Sequence, residues 1–247
     1  LLGNFLVLRK QALMGDTISH VVLPGIVLGF LVTGVVATGP MLMGALLAAL
    51  VAVGLIEVIR RAGQIDTGAA MGVVFTTMFA AGVVLLEQSG ARGVHLDVEH
   101  ALYGNLESAI WLDAFALSDL WNPTALAGLP DEVWRLLGVN LAVIVFILVF
   151  YKELMLTSFD PAHADSIGIS SRLMGFGVVA MTALCAVAAF AAVGSILVIA
   201  MFICPAATGR MMTDRLSMQL VISAVVAVAS GVLGYFLAAF GPLWLGG

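Results

Sequence analysis

The sequence predicts an all-α protein in which several helices cross a membrane. Hydrophobic residues make up 62% of its 247 residues and charged residues only 10%, and the mean hydropathy is +1.14. Few water-soluble domains of this length have such a composition. Because a backbone exposed to lipid must satisfy its own hydrogen bonds, each span is expected to be a helix. No internal repeat or low-complexity linker divides the chain, so residues 1–247 are predicted to form a single helix bundle.

Long apolar segments give the order of the predicted spans. About 20 residues at 1.5 Å each cross the roughly 30 Å hydrocarbon core of a bilayer. The first segment, Leu1–Leu8, is too short for this and is interpreted as the tail of a span. The chain begins inside this apolar run without Met and without the charged n-region of a signal peptide, and we expect both termini to be cut short. Seven further spans are predicted at about 18–38, 41–59, 69–87, 136–151, 173–192, 195–212 and 217–240.

Basic residues orient these spans. Cytoplasmic segments close to the ends of spans carry an excess of Lys and Arg. The predicted cytoplasmic loops are 9–14, 60–68, 152–172 and 210–216. They hold eight basic residues: Arg9, Lys10, Arg60, Arg61, Lys152, Arg172, Arg210 and Arg215. Only Arg92 and Arg135 then lie outside, and eight against two favours this orientation.

The first complete span carries the most informative group of residues. Asp16 and His20 are four residues apart, so on a helix they share one face. Pro24 follows four residues later and, because it lacks an N–H, leaves the His20 carbonyl without its helical partner. A carboxylate, an imidazole and a carbonyl oxygen are ligand types for a divalent cation. This segment is therefore a candidate metal site with Asp16 and His20 as its side-chain ligands.

The same two residues also have plain structural interpretations. An Asp near the start of a membrane helix is often an N-terminal cap, and a His there is often an interfacial or core hydrogen-bonding group. If the helix begins near Ala12, however, His20 lies ~12 Å along it and approaches the middle of the bilayer. Ionisable side chains at that depth are costly and usually line a pathway. Both interpretations stay open on these residues alone.

An acidic segment at about 90–135 is predicted on the external side. An acidic mouth would concentrate cations and bind a partner that carries them, whereas the alternative is a loop that its charges keep solvated. Within it, Leu102, Leu106 and Ile110 have helical spacing over a length too short to span, which predicts an interfacial or re-entrant helix. The acidic residues of the segment, set against Arg92 and Arg135, are Asp97, Glu99, Glu107, Asp113, Asp119, Asp131 and Glu132, and its histidines are His95 and His100.

A short cytoplasmic helix is predicted at about 160–168. Asp160 suits its N-cap, Pro161 the first helical position and Gly168 the C-terminal cap. It is either an ordinary loop helix or, because it is compact and capped between two spans, a helix that docks on another protein. Further along the chain, Pro205 is predicted to kink its span and to free the Met201 carbonyl.

Several function classes have no support in the sequence. No basic stripe or aromatic motif indicates nucleic-acid binding. The only lysines, Lys10 and Lys152, do not lie in GxxxxGK[ST], so the chain is not expected to hydrolyse ATP. The metalloprotease motif HExxH is absent: four residues after His100 the chain has Gly104. The two cysteines, at 185 and 204, lie in apolar runs and are interpreted as small core residues.

Four segments together resemble the membrane subunits of bacterial ABC importers for manganese, zinc and iron, the metal-permease family often called ABC-3. They are LRKQALMGDTISHVVLPG at 8–25, ALYGNLE at 101–107, FDPAHADSIGI at 159–169 and GSILVIAMFICPAATGRMMTDR at 194–215. The first and the last are the specific ones. Within the family, the stretch LDVEHALYGNLE favours the manganese/iron/zinc chelate permeases over the narrower zinc-uptake branch.

The resemblance implies a role for each segment. Asp16 and His20 match the family's Asp-x-x-x-His, which is implicated in cation coordination inside the membrane, and two permease subunits would each contribute such a pair to one translocation site. Residues 159–169 match the coupling helix, which sits in a groove of the cytoplasmic ATPase. The acidic outer loops would receive an extracytoplasmic metal-binding protein. The coupling residues assigned in this way are Asp160, Pro161, Ala164, Ile167 and Gly168.

The predicted function is the permease subunit of an ATP-driven importer of Mn, Zn or Fe in a bacterial cytoplasmic membrane. Its ATPase dimer would be separate polypeptides, and no permanently bound cofactor is expected. The main rival is a proton-coupled secondary metal transporter with Asp16 or His20 as the proton-linked group, for which inverted repeats would be evidence and none is visible. The residues do not choose the metal, since Asp and His serve all three ions. They also do not decide whether the second permease subunit is a copy of this chain or a related chain.

Overall fold

The protein is a helical bundle, which the computed structural model describes over residues 1–11, 14–34, 38–88 and 128–244. Within these ranges there are helices and no strands. The predictions for the external segment between 90 and 127, including its interfacial helix and ALYGNLE, fall outside the described residues. The described helices are α1 Leu2–Leu8, α2 Met14–Thr33, α3 Thr38–Gly63, α4 Thr67–Gln88, α5 Asp131–Val149, α6 Tyr151–Phe159, α7 Pro161–Ser166, α8 Ser171–Met212 and α9 Leu216–Trp244.

The all-helical, multi-pass architecture predicted from composition is confirmed in the described part of the chain. Five helical segments there are long and apolar enough to cross a membrane: Gly39–Gly63, Thr67–Gln88, Glu132–Val149, Ser171–Phe190 and Leu216–Leu237. Two shorter apolar helices, His20–Thr33 and Leu197–Met212, coincide with the two other predicted spans. Five of the seven predicted spans therefore have span-length helices, and the full count of seven stays a prediction.

Gly194 divides α8 into two helical halves, 171–193 and 195–212. Within α8 the backbone departs from helical geometry at Gly194, which has a φ of 76° and a ψ of 165°. A positive φ of this size is readily available only to glycine, so the residue that opens the motif at 194–215 is also the residue that permits the break. The break therefore falls where the sequence predicts one span to end, at 192, and the next to begin, at 195. Pro205 lies inside the second half and is buried.

The helix α8 is the centre of the bundle. It packs against α1, α2, α3, α5 and α9, while α2 packs mainly against α3 and α4. By contrast, α5 and α9 expose many large apolar side chains. Apolar faces of this extent are expected to contact lipid or another protein. The side chains that fill the core include Phe5, Leu6, Ile18, Val21, Leu154 and Val178, all almost completely buried.

The two cysteines of α8 have different environments. Cys185 is partly buried and packs against the core, as predicted, whereas Cys204 is exposed. The interpretation of Cys204 as a core residue is therefore wrong. An apolar run does not distinguish the face of a membrane helix that packs inside the bundle from the face that is free to contact lipid.

Small residues bring α2 and α3 into backbone contact. A Cβ placed on Gly44 would overlap the carbonyl oxygen of Gly25, and one placed on Gly25 would overlap the carbonyl of Gly44. One turn further along, a Cβ on Gly29 would come within 2.7 Å of the Pro40 carbonyl oxygen. Gly25 and Gly29, four residues apart on α2, therefore form a close helix–helix contact with α3, of the kind that small residues permit in membranes.

Several predicted cytoplasmic loops lie together at one end of the bundle. A cavity of about 1150 Å³ there is lined by basic side chains from the α1–α2 turn, the end of α3 and the start of α8. The coupling-helix segment also lines it, through Pro161 and Asp165. These loops therefore share one side, as the predicted orientation requires. The basic residues around the cavity are Arg9, Lys10, Arg60, Arg61 and Arg172.

Candidate metal helix and coupling helix

The helix α2 carries both predicted metal ligands. It is helical from Met14 to Thr33, which keeps positions 16 and 20 one turn apart, as predicted. Position 20 is six residues from its start, or ~9 Å along the axis. The side chain of Asp16 lies outside the part of the structure that is described. The side-chain geometry of the candidate site is therefore that of His20.

The imidazole of His20 packs on two phenylalanine rings of α4. Its ring centroid lies 4.7 Å from that of Phe75, with an interplanar angle of 52°, and 5.8 Å from that of Phe79 in an edge-to-face arrangement. Offset and edge-to-face pairs at these distances are attractive. His20 is half-buried. Its side chain is thus turned toward α4, and the two rings restrict the directions in which its nitrogens can point.

Pro24 lies one turn further along α2, again opposite α4. A Cβ placed on Gly82 of α4 would come within 2.8 Å of Pro24 Cδ and 2.9 Å of its nitrogen. Only glycine at position 82 therefore allows the proline ring to sit this close. The helix continues through Pro24. Because Pro24 has no N–H to donate, the His20 carbonyl lacks its usual helical donor, as predicted from the sequence.

Asp16 and His20 are ligand types for a transition-metal ion, but these two alone would not complete its coordination. Mn²⁺, Zn²⁺ and Fe²⁺ are bound by about four to six ligands drawn from imidazole, carboxylate, carbonyl and water. One Asp and one His from a single helix supply two side-chain ligands. Among the residues that the structure describes, no three His, Cys, Asp or Glu side chains lie close enough to hold a metal together.

The short helix predicted at about 160–168 is present as α7, Pro161–Ser166. Asp160 is its N-cap and accepts a 2.9 Å hydrogen bond from the His163 N–H, while Pro161 occupies the first turn. At the other end Gly168 has a φ of 88°, and the Ile169 N–H donates to the Ala164 carbonyl at 2.9 Å. This is the Schellman type of C-terminal cap, which explains why glycine is required there. The predicted caps are confirmed, although the helix has only six residues.

A carboxylate ties α7 directly to α8. Asp165 accepts hydrogen bonds from the backbone N–H of Ser171 at 2.8 Å and from its hydroxyl at 2.9 Å. These two donors lower the pKa of Asp165, with a smaller contribution from the charge of Arg172. A lowered pKa means that the link is complete above the ordinary pKa of an Asp and is lost as the pH falls through the lowered value. At neutral pH α7 and the start of α8 are therefore joined.

Ala164 and Ile167, both assigned to the coupling contact, have different environments. Ala164 is fully buried, with 0% of its surface exposed, whereas Ile167 is 55% exposed. Ala164 thus seats α7 on the body of the protein. Ile167 presents an apolar side chain outward, where a partner protein could cover it.

Sequence reasoning missed a buried polar cluster between α1 and α9. Asn4 donates to the Ser223 hydroxyl at 2.7 Å, and Gln219 donates to the Asn4 side-chain oxygen at 3.0 Å. All three side chains are almost completely buried. Polar contacts of this kind hold membrane helices together at roughly 0.6 kcal/mol each. Nothing in the local sequence marks it, because the partners are more than 200 residues apart.

Comparison with known proteins matches almost the whole chain to one family. The sequence model described as the ABC 3 transport family matches residues 1–114 and 124–244. The chain is 42% identical over 241 residues to the manganese transport system membrane protein MntD of Bacillus subtilis (strain 168), covering 96% of this chain and 78% of that protein. It is 35% identical over 238 residues to the zinc transport system membrane protein TroD of Treponema pallidum (strain Nichols), covering 96% and 62%.

A solved structure has the same fold. It is PsaBC from Streptococcus pneumoniae in complex with Fab, which superposes with a TM-score of 0.71 at 30% sequence identity. The superposition covers 96% of this chain and 76% of the other. The family match at residues 1–114 and 124–244 includes α2, α7 and the broken helix α8.

Proposed function

The chain belongs to the ABC 3 transport family, and from that premise we propose that it is the permease subunit of an ATP-driven importer of divalent transition-metal ions. The cargo class is manganese or zinc, because relatives over nearly the whole chain are named for these two metals. The sequence resemblance adds iron. The protein acts in a bacterial cytoplasmic membrane, and the metal ion is its substrate rather than a resident cofactor.

The observation that carries the proposal is the placement of His20. It is an ionisable side chain, half-buried within a bundle of apolar helices, four positions after a carboxylate on the same helix. Such groups are expensive in a membrane and are retained along substrate pathways. The interpretation of His20 as an interfacial or core hydrogen-bonding group leaves its one-turn spacing from Asp16 unexplained.

The metal site is completed by a second permease subunit. Two copies of the pair formed by Asp16 and His20 bring two carboxylates and two imidazoles to a shared site, which is enough for a tetrahedral or octahedral ion once carbonyls or water are added. A preformed set of these ligands replaces much of the hydration that the ion loses. The apolar helices around it exclude ions that find no such ligands.

Energy comes from a separate ATPase dimer that binds α7. A compact helix with a cap at each end and an exposed Ile167 is suited to sit in a groove of such a partner. Closure and reopening of the ATPases with ATP binding and hydrolysis would displace the coupling helices and switch the transmembrane helices between outward-open and inward-open states. On the outer side, the acidic segment at 90–135 would receive a metal-loaded extracytoplasmic binding protein.

The test is metal uptake by the reconstituted complex. Liposomes containing two permease subunits and the ATPase dimer, supplied with the metal-loaded binding protein, should accumulate Mn²⁺ or Zn²⁺ only when ATP is present on the ATPase side. A matched preparation with an ATPase that binds but does not hydrolyse ATP is the control. Uptake that persists without the ATPase would replace this proposal by the proton-coupled transporter. Elemental analysis of the purified complex then identifies the ion that is bound.

A further inference from the structure

Arg9 joins the end of α1 to the helix that precedes the coupling helix. Its Nη2 donates to the Thr157 hydroxyl at 2.7 Å and its Nε donates to the Ser158 hydroxyl at 3.2 Å, both on α6. Thr157 is almost completely buried. The positive-inside pattern explains a basic residue at this end of the bundle, but it does not explain two directed hydrogen bonds to one partner helix.

The two hydroxyl groups are arranged as acceptors for Arg9. Thr157 donates its own proton to the Glu153 carbonyl at 2.7 Å, and Ser158 donates to the Leu154 carbonyl at 2.6 Å. Because each hydroxyl has one proton, these bonds leave its oxygen lone pairs for the guanidinium. The contact therefore has a fixed geometry that depends on three side chains and two backbone carbonyls.

Arg9 also contacts the helix that follows the coupling helix. A Cβ placed on Gly175 of α8 would come within 2.9 Å of Arg9 Nη1. Only Asp160 lies between the end of α6 and the start of α7. At its other end, α7 is linked to α8 by the hydrogen bonds between Asp165 and Ser171. Arg9 thus lies between the two helices that flank α7 and touches both of them.

Only four residues separate Arg9 from the start of α2, the candidate metal helix, at Met14. The Gln11 N–H donates to the Leu6 carbonyl at 2.8 Å and the Lys10 N–H donates to the Val7 carbonyl at 3.1 Å, which closes the end of α1. Lys10 adopts a left-handed conformation with a φ of 57°. Position 16 on α2 follows only seven residues after Arg9. The chain between them is therefore too short to absorb a large displacement of α1 without moving α2.

We propose that Arg9 is a positioning residue that transmits displacement of the coupling helix to the metal helix. When the ATPases move α7, the flanking helices α6 and α8 carry Arg9 with them, and Arg9 carries the start of α2. This inference rests on the proposed ATP-driven function. It assigns to Arg9 neither metal binding nor contact with the ATPase.

The experiment measures metal uptake and ATP hydrolysis in the same reconstituted complex. R9Q should lower the amount of metal transported per ATP hydrolysed by at least about fivefold, the lower range of allosteric coupling, while hydrolysis continues. R9K keeps a cation that can donate to one hydroxyl, so its ratio of metal transported to ATP hydrolysed should lie between those of R9Q and the wild type. K10Q is the matched control, since Lys10 is exposed and its side chain has no hydrogen bond or ion pair within the described residues.

Two further variants keep Arg9 and disturb its partners. The double variant T157V/S158A removes both acceptors, and G175A pushes on the guanidinium from α8, so both should lower the same ratio. If uptake and hydrolysis fall in equal proportion in all of these, Arg9 serves stability alone and the inference is overturned. Should R9Q not assemble, an unchanged ratio in T157V/S158A overturns it equally. A wild-type complex that shows no ATP-dependent uptake would instead refute the proposed function itself.

Discussion

The imidazole of His20 on α2 lies 4.7 Å from the ring of Phe75 on α4, measured between ring centroids. Through this contact α4 restricts the orientation of the His20 imidazole, the candidate metal ligand. It does so with an aromatic ring and not with a charged side chain. Residues that hold a metal-binding imidazole in orientation commonly matter nearly as much as the ligand itself. If His20 binds the metal as proposed, the ring of Phe75 would take such a position, and the local sequence does not indicate this contact.

Substitution of Phe75 is predicted to weaken metal transport without removing it. F75L keeps an apolar side chain but loses the ring contact, which is worth about 0.5–1.5 kcal/mol, so the apparent KM for metal should rise roughly two- to tenfold. F79L is the matched comparison and should have a smaller effect, because Phe79 is 39% exposed and its centroid is 5.8 Å away. Equal KM values for wild type and F75L in the liposome uptake assay would show that the ring does not position His20.

Removal of either predicted ligand should abolish uptake. D16A and H20A each delete one of the two side-chain ligands that a subunit contributes, so the effect should exceed the 10- to 100-fold loss typical of a supporting residue. Expression and co-purification with the ATPase should be normal, because neither residue belongs to the coupling helix. The readout is metal-dependent growth together with uptake by the purified complex. Normal uptake in both single variants would remove Asp16 and His20 from the mechanism.

Charged substitutions at Ile167 and Ala164 are predicted to have different effects, one on binding of the ATPase and the other on stability of the permease. I167D places a charge on an exposed apolar contact and should lower affinity for the ATPase by about tenfold, equivalent to about 1.4 kcal/mol, with the permease itself intact. A164D buries an unpaired charge under α7 and should destabilise the permease before any partner is added.

The measurements for this pair are thermal stability in detergent and ATPase retention on the purified permease. Met211, 88% exposed at the end of α8, gives the control M211D, which adds the same charge at another exposed apolar position. Full retention of the ATPase by I167D would exclude Ile167 from the docking contact. A164D with unchanged stability would contradict the burial of Ala164.

The sequence predicts those features that depend on neighbours in the chain. The caps of α7 follow from Asp160, Pro161 and Gly168, and the break in α8 falls at a glycine that opens a recognisable motif. Contacts between distant helices do not follow from local pattern. The Arg9 bonds to α6 and the packing of His20 on Phe75 join residues from about 55 to about 150 positions apart, and any of several helix arrangements would satisfy the same hydropathy.

The contact between Gly25 and Gly44 is predicted to be the most sensitive point of the α2–α3 interface. In G44A the new Cβ meets the carbonyl oxygen of Gly25, which is backbone and cannot rotate away, so the helices must separate. Overpacking of this kind costs about 1–3 kcal/mol, more than the roughly 1 kcal/mol that alanine gains over glycine in a helix.

Gly54 on the same helix provides the matched control for this prediction. A Cβ there meets nothing within 4 Å, so G54A gains helix propensity without a clash and should be neutral or slightly stabilising. Thermal unfolding in detergent should therefore shift downward for G44A and not for G54A. Because α2 carries Asp16 and His20, separation of α2 from α3 should also reduce metal uptake in G44A. Equal melting temperatures for the two variants would mean that the helices do not cross at Gly44, and the position of the metal helix would have to be redrawn.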